Sequence, residues 1–464
     1  DAGPTILTAP FLVDELFALA GRATADHLRI VPCRPYYRIQ FTDGSVFDYT
    51  GDPAEIEAEI RRFNPADVPG YRRFARQSED IFRRAFLDLA DQPFSRLGDM
   101  LRIAPDLMRL RADRSVHTLV VRHLRDERLR QVFSFHPLLI GGNPFQSSSI
   151  YSMIHFLERR WGVHFVMGGT GALVQALVGL FQSMGGVLRL NSRVEEIVCR
   201  APDADAARDP RPPHLLPEDP DDFRPTVTGV RLASGEFLPA RVVVSNGDVA
   251  NTCRKLLAPR WRRKWTDRRI ERMRYSMGLF VIYFGTRRTY PNLAHHTIVL
   301  GPRYRGLLDD IFRHQVLAPD FSLYLHAPTR TDPSLAPPGH ECFYVLSPVP
   351  NLQGDIDWER ERERYADALL ASLEIPSLCP DLRRNIVTRR ILTPVEFEAD
   401  YDAYAGSAFQ FEPLLTQSAW FRPHNVNEDV RGLYLVGAGT HPGAGVPGVL
   451  SSAKVLDRVI PAAG

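Results

Sequence analysis

The segment Leu433-Tyr434-Leu435-Val436-Gly437-Ala438-Gly439-Thr440-His441-Pro442-Gly443-Ala444-Gly445-Val446-Pro447-Gly448 carries the densest chemical signal in the chain. An apolar strand feeds a turn with five glycines in twelve residues, and a helix follows. Glycine lacks a Cβ, so such a backbone can lie against a ligand. The N–H groups that open the following helix suit an anion or a polarised carbonyl. Gly443, Gly445 and Gly448 also satisfy G-x-G-x-x-G. A dinucleotide fingerprint must open a βαβ unit and be followed by an acid about 20 residues on. Only sixteen residues follow Gly448, so this match is not that fingerprint.

Two further segments have weaker signals. Gly168-Gly169-Thr170-Gly171 is a glycine loop opening a helix, as consistent with a plain helix start as with a cofactor contact. Val242–Ser245 is an apolar strand ending in Asn246-Gly247-Asp248. Polar residues at a strand's carboxyl end are where open α/β sheets bind ligands. The five cysteines (Cys33, Cys199, Cys253, Cys342, Cys379) form no C-x-x-C pair and show no metal-ligand spacing, so no metal site is expected and a reducing, cytosolic setting is.

The elements that must position these residues alternate in type. Residues 28–49 read as strands, with Asp43-Gly44 as a hairpin turn. Residues 51–135 are helical and rich in Arg. After the glycine loop come a helix, Gly185-Gly186 and a strand at Val187–Leu190. Strands follow at Arg193–Cys199, Thr226–Leu232 and Ala240–Ser245, the last expected to be covered on both faces. Ala201–Pro225, with seven prolines, reads as a surface loop. Further strands are expected at Leu279–Phe284, Thr297–Leu300, Phe321–His326, Phe343–Pro348 and Leu433–Val436, with helices at Trp358–Leu373 and from about Val449. This order predicts interleaved domains with chain crossings.

Composition narrows the function. The 464 residues carry 57 Lys+Arg against 55 Asp+Glu, a net charge of +2, too balanced for a dedicated nucleic-acid binder. The longest stretch without a formal charge, Trp161–Leu188, holds seven glycines and its leucines recur at helical spacing. It reads as a one-face-buried helix, not a membrane span.

Taken in order, these segments resemble the bacterial and fungal type of phytoene desaturase within the flavin amine oxidase superfamily. The matching stretches include Asp1-Ala2-Gly3-Pro4-Thr5, Phe63-Asn64-Pro65, Gln131–His136 with Gly141-Gly142-Asn143-Pro144-Phe145, and Gly168–Gly171. They continue through His295-His296-Thr297, Gly301-Pro302-Arg303-Tyr304, Ser322–Pro328, Gln417–Asn425 and the closing glycine turn. The family places a βαβ unit with the dinucleotide fingerprint ahead of the Asp-Ala-Gly-Pro segment. That stretch is not in this sequence, which begins at Asp1 without Met. The expectation is a partial chain that binds FAD poorly or not at all, with an inactive fragment as an alternative reading.

The resemblance implies a mixed α/β fold: an FAD-binding Rossmann-like domain interleaved with a mixed-sheet substrate domain and a helical lid. The implied parts are 1–27 (remnant of the FAD domain), 28–50 (substrate-domain strands), 51–160 (helical lid), 161–274 (FAD domain), 275–414 (substrate domain) and 415–464 (FAD domain). FAD is the implied cofactor. Gly437, Gly439, Thr440, Gly443, Gly445 and Gly448 would lie along the isoalloxazine, with Gly3, Pro4, Gly168 and Gly169 nearby. Val194 and Asn246 would lie toward the adenine.

The implied substrate is phytoene, an apolar C40 polyene that gives up hydride to the flavin on the way to neurosporene or lycopene. His441 is the candidate base, with a histidine that simply bonds the turn as the competing reading. Asp99 with Arg102, and Glu412, are further ionisable residues in family-like segments, each more often a structural ion pair. A cis–trans carotenoid isomerase is the rival activity, separated by product mass. A polyene substrate implies a protein peripheral on the inner face of the cell membrane. Two basic stretches could dock there: 96–130, with nine Arg against five acids, and 254–274, with ten cations against two acids and Trp261 and Trp265 one helical turn apart.

Overall fold

A computed structural model describes residues 5–87, 89–94, 97–201 and 224–461. Gly3, Pro4 and nearly all of the proline-rich insert lie outside these residues, as does the Asp99 side chain. In chain order the strands are β1 (Leu7–Thr8), β2 (Ile30–Pro32), β3 (Tyr37–Gln40), β4 (Val46–Tyr49) and β5 (Val163–Val166). Then come β6 (Val194–Arg200), β7 (Thr226–Leu232), β8 (Phe237–Pro239), β9 (Val243–Ser245) and β10 (Gly278–Thr286). The last are β11 (His296–Val299), β12 (Leu323–His326), β13 (Glu341–Val349), β14 (Ile386–Leu392) and β15 (Leu433–Leu435).

The chain divides into two compact units, each assembled from three separate segments. The first comprises Asp1–Phe86, Leu107–Leu188 and Tyr275–Leu414. Its frame is a seven-stranded sheet in the order β14-β10-β13-β12-β11-β3-β4. All pairs are antiparallel except β11 with β3, where Ile298 meets Ile39 in parallel register. Successive side chains of a strand point to opposite faces, and β10 divides its residues accordingly. Phe280, Ile282 and Phe284 pack with Trp358, Tyr365, Ala366, Leu369, Leu370 and Leu373 of the helix Trp358–Leu373. Leu279 and Val281 join a second core that contains Ile56, Ile60, Phe74, Leu129 and Phe133 from the helical region. That region is pinned by Asp67, a buried carboxylate that accepts the N–H groups of Arg125 (2.9 and 3.0 Å) and Asp126 (2.9 Å).

The second unit comprises Leu87–Asp106, Arg189–Arg274 and Leu415–Gly464. It holds the three-stranded sheet β6-β7-β8 and the parallel pair β9·β15, packed around Ile197, Val227, Leu257, Val430 and Leu433.

Residues 161–188 group with the first unit by compactness. Two sequence expectations give way. Val187–Leu190 is not a strand: it is an irregular segment with Val187 78% and Leu190 75% exposed. No described strand runs beside it to satisfy its backbone, and an unpartnered strand is not stable. Val244 of β9 is 44% exposed, so that strand is not covered on both faces; β15 is its sole neighbour among the described strands. The strands β1, β5 and β14 lack clean alternation over enough residues to stand out in the sequence.

Candidate cofactor site at the C-terminal turn

The turn hangs from β15. Leu433, Tyr434 and Leu435 lie opposite Val243, Val244 and Ser245 of β9, and the Val436 N–H extends the ladder to the Ser245 carbonyl (3.0 Å). Both strands therefore end together, which sets Asn246 beside Gly437. A Cβ on Gly437 would fall 2.3 Å from Asn246 Oδ1, and its φ of +102° is one that side chains resist. Only glycine fits there. A Cβ on Gly448 would fall 2.5 Å from the Gly443 carbonyl oxygen, so the turn and the first turn of the helix Val446–Val459 are in close contact.

Three side chains hold the loop from beneath. Asn425 is buried, and its amide nitrogen reaches the carbonyls of Leu435 (3.2 Å) and His441 (3.3 Å) and Thr440 Oγ1 (3.3 Å). Thr440 is fully buried and its hydroxyl donates to the Gly437 carbonyl (3.2 Å). Arg422, also buried, donates from Nη2 to the Ala438 carbonyl (2.7 Å), and its guanidinium lies under Gly443. Ser452 on the helix receives the Gly437 N–H (2.9 Å). Arg422 and Asn425 carry no periodicity or spacing signal in the sequence. Their partners in the turn are backbone carbonyls ten to sixteen residues downstream, which no local pattern encodes.

His441 is buried and holds a fixed tautomer. Its Nε2–H donates to the Leu89 carbonyl (2.9 Å), and its ring meets Phe94 edge-on with centroids 4.7 Å apart. Nδ1 has no hydrogen-bond partner among the described residues. Burial lowers the imidazole pKa to about 4; the Arg422 charge adds to that, while the Leu89 carbonyl opposes it. At neutral pH the ring is uncharged and weakly basic, a poor match for proton abstraction at that pH. Its geometry is that of a histidine bonding the turn to Leu89.

The remaining candidates lie on other elements. Gly168 and Gly169, with φ of +82° and +85°, belong to the first unit, where the Gly168 N–H donates to Asp332 Oδ2 (2.8 Å). Val194 opens β6 and faces Leu232 of β7. Glu412 is buried in the first unit. The turn thus gathers Asn246, Gly437, Gly439, Thr440, His441, Gly443, Gly445 and Gly448.

The arrangement suits a flavin ring. The helix starting at Val446 has Gly445 at its N-cap with no capping side chain, and Pro447 has no N–H. The first-turn N–H groups of a helix have no intrahelical partner, so those of Val446 and Gly448 are available to a ring carbonyl. The glycine surface before them keeps side chains away from such a ring.

The family model for flavin containing amine oxidoreductase matches residues 1–455. The chain is 50% identical over 455 residues to a lycopene-forming phytoene desaturase of Pseudescherichia vulneris, covering 98% of this chain and 88% of that protein. It is 42% identical over 466 residues to a neurosporene-forming phytoene desaturase of Rhodobacter capsulatus, covering 99% and 84%. Among solved structures, a putrescine oxidase variant superposes with a TM-score of 0.59 at 11% identity, over 98% of this chain and 86% of that one. Reduced UDP-galactopyranose mutase does so with 0.51 at 13% identity, over 100% and 85%. The structural likenesses carry the mixed α/β fold of flavin-dependent oxidoreductases, and the sequence identities carry the rest: this chain is a member of the flavin-containing amine oxidoreductase family, in its branch of bacterial-type phytoene desaturases.

Proposed function

We propose that the protein desaturates phytoene toward neurosporene and lycopene with FAD as the hydride acceptor. The identity of half the residues to a lycopene-forming desaturase over nearly the whole chain carries this reading. The uncapped helix start behind a glycine surface supports a flavin at the C-terminal turn. Bound there, FAD supplies the electron sink that side chains lack. Gly437 would begin the ring's bed, and Asn246 beside it would stand at the edge that leads toward the adenine. Asn425, Thr440 and Arg422 would keep the bed rigid.

A peripheral position on the inner face of the cell membrane fits an apolar polyene substrate. Of the two basic stretches, 254–274 is compromised, because Trp265 is 1% exposed and donates its indole N–H to Glu428 (2.7 Å). The stretch 96–130 is the better docking candidate. Its helix Leu97–Arg109 leaves Met108 72% exposed beside exposed Arg109. No described helix is long and apolar enough to cross a membrane.

The test is expression of the gene's full reading frame in cells that accumulate phytoene. Loss of two hydrogens per step, read by product mass and by the pigment spectrum, is expected. Products of unchanged mass would instead mean isomerisation and overturn the reading.

A further inference from the structure

The first unit contains a cluster of possible metal ligands that the candidate site at the C-terminal turn does not include. Cys33, just after β2, lies beside His295 and His296 at the start of β11. One ligating atom from each falls within 4.8 Å of the other two, and all three residues are buried. Cys33 Sγ is 3.8 Å from His296 Nε2. A tetrahedral zinc ion with Zn–S of about 2.3 Å and Zn–N of about 2.05 Å separates sulfur from nitrogen by about 3.6 Å, so this spacing needs little change.

The other nitrogens are already committed. His296 Nδ1 lies 2.7 Å from the Tyr324 hydroxyl, and His295 Nδ1 lies 2.6 Å from Thr331 Oγ1. That leaves Nε2 on each ring, and the buried His295 Nε2 has no hydrogen-bond partner among the described residues. Outer partners on the non-ligating nitrogen are what orient metal-binding histidines. A thiol–imidazole hydrogen bond would account for Cys33 and His296 but not for His295.

We propose that Cys33, His295 and His296 form a binding site for a borderline or soft transition metal ion of the Zn²⁺ class. One thiolate and two imidazoles select such an ion over Mg²⁺ or Ca²⁺. Three protein ligands leave one tetrahedral position open. On binding, the Cys33 S–H bond breaks, its proton goes to solvent, and the sulfur electron pair bonds the metal. No electrons are transferred. The site is independent of the phytoene reading and stands or falls without it.

The experiment uses untagged protein, stripped with chelator and titrated with Co²⁺ as a spectroscopic probe, followed by metal analysis after gel filtration. One Co²⁺ per chain with a thiolate-to-cobalt charge-transfer band is expected. Cys33→Ser should lose the band, while Cys379→Ser, a buried thiol in the other core of the same unit, should keep it. Tyr324→Phe should weaken binding by about tenfold by removing the outer partner. Sub-stoichiometric metal, or a band that survives Cys33→Ser, overturns the proposal. Should Cys33→Ser fail to fold, the wild-type spectrum decides: a band kept in Cys379→Ser supports the site, and its absence from the wild type overturns it.

Discussion

His441 shows how burial changes what a residue can do. Its imidazole is held neutral, with a pKa of about 4, and His295 is held at about 3 by burial and the neighbouring His326. An unfolded histidine titrates near 6.5. Between that value and the folded one, the unfolded state binds more protons, so stability is complete above pH 6.5 and falls as pH drops toward 4. Each such histidine contributes a slope of about 1.4 kcal/mol per pH unit in that window. Urea midpoints at pH 7, 6 and 5 should decline in that order, and His441→Gln should flatten the decline. His441→Ala should cost about 2 kcal/mol through the lost Leu89 hydrogen bond and the space left beside Phe94. Gly437→Ala should cost about 2 kcal/mol, from the strained φ and the collision with Asn246. Adding Asn246→Gly should restore part of that loss but not all, because only the collision is removed; thermal denaturation of the single and double variants measures both.

At the scale of elements, the turn is a loop fixed by a side chain from the stretch ahead of β15. Asn425→Ala removes bonds to Leu435, Thr440 and His441 together, and should destabilise by about 2–3 kcal/mol. Its readout beyond stability is flavin occupancy of the full-length protein, which should fall with the loosened bed. Strong periodicity made some elements readable without coordinates: the helix Trp358–Leu373 has the residues expected of it, and β7 runs Thr226–Leu232 as its alternation indicates. The hairpin at Asp43-Gly44 followed from turn chemistry. Val187–Leu190 has residues that suit a strand, but a strand is a property of pairs and no described strand lies beside it. Val244 is exposed on β9, whose one strand neighbour among the described residues is β15. The glycine turn was legible because its composition is extreme. Arg422 and Asn425 were not, because a buried polar side chain is defined by distant carbonyls.

For the molecule as a whole, charge balance hides local asymmetry. A net charge of +2 coexists with the stretch 96–130, nine Arg against five acids. Co-sedimentation with liposomes should therefore rise with the fraction of anionic lipid and fall at high salt, since screening shortens such attraction to about 8 Å at physiological ionic strength. Replacing exposed Arg102 and Arg109 with Gln should reduce binding several-fold while leaving circular dichroism unchanged; binding indifferent to lipid charge would remove this stretch as the docking surface.

The two units alternate along the sequence, with the chain passing from one to the other at 86/87, 106/107, 188/189, 274/275 and 414/415. A ribosome delivers this protein from one end, and β9 emerges long before β15, the strand that will flank it. Neither globule can be finished early and set aside while the other is made. The nascent polypeptide must carry a bare edge and half-filled interiors until residues 415–464 are released. Synthesis speed and holdase chaperones should accordingly govern yield more than final thermodynamic stability does.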